Sequence, residues 1–160
     1  VCMGQPEFKA EKIPVLTDGE SFINQPMEVG GMQWNVTAVS VGNPHAVVFV
    51  DNVDWLDLPT IGPLFENCPL FPERINTEFV QVIDRTTLKM RVWERGSGET
   101  LACGTGSTAA LAAAVVNGKC EPYAKLLLRG GELNIEWNRD ENLIYMTGPA
   151  VTVFDGELLL

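Results

Sequence analysis

The chain has 160 residues, enough for one ordinary domain with its own core and too few for two large ones. A hydrophobic fraction of 46% argues against disorder, and no apolar run approaches a membrane span or follows a basic leader. The formal net charge of −10 sets the surface against nucleic acid and anionic membrane, while leaving a small anion free to bind in a local pocket.

Short strand-like runs dominate. Residues 34–41 alternate and are rich in β-branched side chains, and residues 46–50 form a continuous apolar run that reads as a buried strand. A short helix is expected near Leu58 to Glu66, after Asp54. Residues 79–83 and 88–93 read as a strand pair turning at Asp84 to Thr87, and further strands are expected at 125–129, 133–137, 143–146 and 151–154. Between them, residues 104–117 hold no charged side chain, which marks a helix buried all round, and Asn117-Gly118 is a suitable stop. Many strands and one buried helix predict a single α+β domain over residues 1–160. Its curved, mostly antiparallel sheet should wrap the central helix. The apolar ending at 151–160 is expected as a terminal strand in need of a partner surface.

The four cysteines, Cys2, Cys68, Cys103 and Cys120, include no CxxC pair, and His45 is the one histidine. A structural zinc site needs about four such ligands at close spacing, so no metal is expected. Four reduced thiols in a cytoplasmic protein are the simpler reading.

The densest polar cluster runs from Trp93 to Gly106 and joins a strand to the buried helix. Cys103 stands at the helix start, where free N–H groups and the positive end of the dipole favour a thiolate. A lowered pKa is therefore expected. The N–H groups of Gly104 and Thr105 suit a carboxylate, with Gly104 and Gly106 leaving the approach open. Glu94 and Arg95 end the preceding strand and point to opposite faces, suited to an ammonium and a carboxylate. Taken singly, each of these has a plainer explanation: a buried cysteine, a surface ion pair. His45, which follows Asn43-Pro44, is by itself more often structural than catalytic, and Asn76 by itself is a turn residue. The glycine spacing matches neither nucleotide-binding loop.

In combination these segments are specific. GNPHAVVFVD at 42–51, ERIN at 73–76, WERGSGETLACGTGSTAA at 93–110 and MTGPA at 146–150 resemble the second half of diaminopimelate epimerases, and the resemblance extends over essentially the whole chain. It implies a fold of two similar halves with the active site between them and a cysteine at each central helix start. Cofactor-independent, two-thiol proton transfer would then interconvert LL- and meso-diaminopimelate in the biosynthesis of lysine and peptidoglycan precursors. By that resemblance Cys103 is the second catalytic cysteine. Glu94 tunes it and meets the α-ammonium, and His45 tunes the partner thiol. Asn43, Asn76 and Arg95 hold the distal end of the substrate, and the Gly104 and Thr105 N–H groups hold the carboxylate. No cofactor is implied. The chain starts at Val1 and contains no CGNG-type motif, so the half carrying the first cysteine is expected elsewhere. The isolated chain should then be inactive, able to form a homodimer, and able to pack residues 151–160 on the missing half. Two other readings remain: another racemase of the same fold, or a non-catalytic binding or assembly domain.

Overall fold

Ten strands form one sheet in the computed structural model, which describes residues 1–158. In chain order they are β1 (Cys2–Gly4), β2 (Gln25–Val29), β3 (Met32–Ser40), β4 (Pro44–Phe49), β5 (Asn76–Asp84), β6 (Thr87–Glu94), β7 (Gly98–Thr100), β8 (Tyr123–Leu128), β9 (Gly131–Asn138) and β10 (Leu143–Thr147). Helix α1 spans Leu58–Glu66 and α2 spans Gly104–Val116. Across the sheet the order is β1-β10-β9-β8-β6-β5-β4-β3-β2, with β7 paired to β6. Only β4–β5 and β6–β8 are parallel; the other pairs are antiparallel. The expected α+β class, with its mostly antiparallel sheet, is therefore found.

Alternation along the strands divides the core in two. Val39, Val47, Val80, Leu88, Met90 and Val92 face α2. Val36, Ala38, Ala46, Val48 and Phe79 face the opposite way, with Phe65 of α1. The apolar run at 46–50 reads as continuous because β4 is covered on both faces. Helix α2 touches strands from β3, next to one edge of the sheet, to β10, next to the other, so the sheet curls around it. Its run of alanines lets the backbones approach. Two of its three hydroxyls bond back to the preceding turn: Ser107 Oγ donates to the Cys103 carbonyl at 2.8 Å and Thr108 Oγ1 to that of Gly104 at 2.8 Å. The helix ends where Asn117 Nδ2 donates to the Ala113 carbonyl, and Gly118 adopts a φ of +67°.

The expected strand at 151–154 is not present: residues 151–158 have no regular structure and are exposed, Phe154 at 82%. The edge of β10, which this segment leaves, is already occupied by β1, and Gly148-Pro149 interrupts the ladder. Leu159 and Leu160 lie outside the described residues. The strands β1, β2 and β7 were not expected; they are short or contain proline and glycine, and tertiary pairing alone holds them. No helix among the described residues is long and apolar enough to cross a membrane.

Candidate active site

Four segments converge at one end of the sheet: the start of β4, the start of β5, the end of β6 and the N-terminus of α2. The parallel β4–β5 register sets His45 opposite Asn76 and Val47 opposite Glu78, while the antiparallel β5–β6 register sets Glu78 opposite Val92. Glu94 lies two residues beyond Val92 and so shares the α2 face.

Cys103 is the N-cap of α2 and only 8% exposed. Its sulfur accepts the Gly106 N–H at 3.3 Å and lies 3.5 Å from Thr105 Oγ1. Among the described residues the Gly104 and Thr105 N–H groups have no acceptor, so two donors stand free beside the thiol. Glu94 accepts a short hydrogen bond from Thr100 Oγ1, which fixes its carboxylate across the β6–β7 hairpin.

The expectation of a lowered thiol pKa is reversed. Burial pushes Cys103 up to about 11; the Thr105 hydroxyl and the Gly106 N–H act against this, and the nearby carboxylates of Glu78 and Glu94 add to it. Cys120, which caps no helix, is also pushed by burial to about 11. Desolvation of the thiolate therefore outweighs the Thr105 hydroxyl and the Gly106 N–H that cap it. At neutral pH Cys103 is a thiol, holding a proton that it can give. In a chain whose other cysteines are replaced (Cys2→Ser, Cys68→Ser, Cys120→Ala), iodoacetamide alkylation should show a midpoint near 11. A midpoint at or below the free-thiol value of about 8.5 would mean that the helix end prevails. The folded chain binds these two protons more tightly than the unfolded chain. Its stability therefore falls as pH rises from the unfolded thiol value toward about 11.

The other sequence candidates divide into two groups. Asn43 and His45 join Cys103 in one chain of contacts. His45 Nε2 lies 2.9 Å from Asn43 Oδ1, and Asn43 Nδ2 donates to Thr105 Oγ1 at 3.4 Å. Asn76 and Arg95 form a second unit. Asn76 Nδ2 donates to the Pro44 carbonyl at 2.8 Å, and its Oδ1 accepts the Arg95 N–H at 2.9 Å. The Arg95 guanidinium donates to the Glu73 carbonyl at 2.8 Å. Asn76 thus ties β4, β5 and the turn after β6 to one another.

Two buried carboxylates were missed by sequence reasoning. Glu78 Oε1 lies 2.7 Å from His45 Nδ1, and both side chains are fully buried. The sequence reading began the strand at Phe79 and left Glu78 outside it. The detectable sign was its alternation with Val80 and Val82, which places a carboxylate on an apolar face. Glu66 accepts from Arg74 Nη1 at 2.9 Å, the Gly96 N–H at 2.9 Å and Trp93 Nε1 at 2.7 Å, and so holds the turn that carries Glu94 and Arg95. Gly106 is also small for a different reason than expected: an added Cβ would lie 2.7 Å from Glu78 Oε1 and 3.2 Å from Cys103 Sγ. That space is taken by the chain's own groups.

The sequence profile of a family described as diaminopimelate epimerase matches residues 37–153, which contain every one of these site residues. The chain belongs to the diaminopimelate epimerase family. It is 61% identical to the diaminopimelate epimerase of Acetivibrio thermocellus over 158 residues, covering 99% of this chain and 56% of that protein. It is 54% identical to that of Desulfovibrio desulfuricans, covering 98% and 57%. The chain therefore spans rather more than half the length of the curated family members it matches. Among solved structures, a predicted epimerase from Pseudomonas aeruginosa superposes with a TM-score of 0.50 at 16% identity, over 96% of this chain and 58% of that one, a likeness of fold. The relatives it matches are named as epimerases.

Proposed function

We propose that this chain is the C-terminal half of a diaminopimelate epimerase and supplies one of two thiols that invert an α-carbon without a cofactor. The observation that carries this reading is the position of the buried Cys103 sulfur beside the unoccupied Gly104 and Thr105 N–H groups at the same helix end. A substrate carboxylate held on those amides sets its α-carbon beside the sulfur. Positive helix-end potential offsets the charge that develops when a thiolate on the other face removes the α-proton. Cys103 then returns a proton from its own side. Glu94, fixed by Thr100, meets the α-ammonium and tunes the thiol. A second carboxylate of the substrate would end toward Asn43 and Arg95, with Asn76 holding the Arg95 backbone in place through its Oδ1.

One half holds one thiol at such an end, so the chain alone should not invert. The exposed side chains of Val151, Val153, Phe154 and Leu158 supply apolar surface for the half that carries the other thiol. The test is to fuse to this chain the portion of the Acetivibrio thermocellus relative that it does not match, and follow conversion of LL-diaminopimelate. Inversion by the fused protein and none by the chain alone is expected. Comparable rates from the chain alone, or a preference of the fused protein for a monocarboxylate amino acid, would overturn the reading.

A further inference from the structure

His45 and Glu78 do not reach the surface. Their side chains are 0% exposed, and Glu78 Oε2 is a buried oxygen with no partner among the described residues. From His45 the contacts continue through Asn43 and Thr105 to the sulfur of Cys103, at 2.9, 3.4 and 3.5 Å. We propose that Glu78, His45, Asn43 and Thr105 form one directional hydrogen-bond chain that aims the Thr105 hydroxyl proton at Cys103 Sγ. In it, Glu78 and Thr105 are positioning residues for that sulfur. The proposal rests on the reading of Cys103 as an acid–base thiol, but its direction follows from burial alone.

A neutral imidazole beside an ionised Glu78 would bury a net negative charge, one of whose oxygens has no donor, and this is costly. Sharing one more proton between Glu78 Oε1 and His45 Nδ1 makes the pair neutral overall, whichever atom holds it. In both arrangements His45 Nε2 carries a hydrogen, which it donates to Asn43 Oδ1. That orients the amide, since an asparagine accepts at one end and donates at the other. Asn43 Nδ2 therefore donates to Thr105 Oγ1, and the single Thr105 hydroxyl proton is left for the sulfur. With the Gly106 N–H at 3.3 Å, Cys103 Sγ then faces two donors, an arrangement that suits the thiolate formed after its proton has been given away. Reversing the amide would instead turn the Thr105 proton toward Asn43 and leave the sulfur to donate. The charged or titratable groups facing Cys103 are Glu78 from β5 and Glu94 from β6, with His45 of β4 behind Asn43. The first turn of α2 contributes no acidic side chain.

The test needs neither substrate nor the other half. His45 is the one histidine, so its ring nitrogens are read directly in a 15N-labelled chain. At neutral pH Nε2 should resonate as a protonated nitrogen; an unprotonated Nε2 overturns the direction of the chain. In the background with Cys103 as sole cysteine, Thr105→Val should lower the alkylation rate at a fixed alkaline pH by about tenfold, the effect of one pKa unit. Thr105→Ser should restore it. An unchanged rate in a Thr105→Val chain that melts like its parent overturns the role of Thr105. Glu78→Gln, whose amide can accept or donate at Nδ1, should shift the Nε2 resonance toward a mixture of tautomers; it also removes a carboxylate that raises the thiol, so its positional effect is read as a smaller rate ratio between the Thr105 and Thr105→Val chains. An unaltered Nε2 resonance, or the same Glu78→Gln effect in the Thr105→Val background, overturns the role of Glu78. Loss of inversion by the fused protein with these readouts intact would count against the epimerase assignment alone.

Discussion

Changing Cys103 to alanine in the fused protein is expected to lower the inversion rate by about 10²–10⁴-fold, the contribution of a positioned proton donor or acceptor. The loss should appear in kcat. In the proposed reading the substrate carboxylate is held by the backbone amides of Gly104 and Thr105, and no side-chain change at residue 103 removes those. Substrate affinity measured by calorimetry should therefore change little. The α-proton of one epimer should still exchange with deuterated water through the remaining thiol, so exchange and inversion, coupled in the parent, come apart. An alanine variant with a parental inversion rate would remove Cys103 from the chemistry. One that loses binding as well would show that the sulfur is needed to shape the helix end. The second outcome has a physical route, since Cys103 Sγ caps the Gly106 N–H.

The largest stability effect is expected at Leu111. It is the one large side chain in the middle of α2, fully buried, between runs of alanine that leave the surrounding strands no longer side chain to move into a hole. Leu111→Ala should cost about 2–5 kcal/mol, toward the upper part of that range because the site collapses poorly. Chemical denaturation with an unchanged m-value would measure it. A loss under about 1 kcal/mol would mean that α2 is less tightly enclosed than its contacts with strands from β3 across to β10 indicate.

Much of the architecture was legible because the patterns are local. The uncharged run at 104–117 identified the buried helix to within a residue of its observed end, and Leu58 to Glu66 matched α1. The strands from β3 to β10 were found wherever alternation or an apolar run covered several residues. The strands that escaped, β1, β2 and β7, have three to five residues and owe their conformation to a neighbour. The segment at 151–154 erred in the opposite sense: it has the composition of a strand, but the ladder edge it would need is occupied by β1. Strand propensity describes fitness for a pleated surface, and only the fold determines whether such a surface is on offer.

The site divides in the same way. Sequence by itself determined the residue types and their places at element ends: a cysteine, glycines and free amides at one helix start, and Glu94 and Arg95 closing a strand. Tertiary structure decided what those groups are worth. It paired His45 with Glu78, 33 positions away, and joined Asn43 to Thr105, 62 positions away. It also used both ends of the Asn76 amide to tie strands together. Above all it set the protonation state of Cys103. A helix start acts on a thiol through a few local N–H groups, whereas desolvation and the fields of Glu78 and Glu94 depend on every element packed around it. That sum, which raises the thiol to about 11, exists only once the chain is folded.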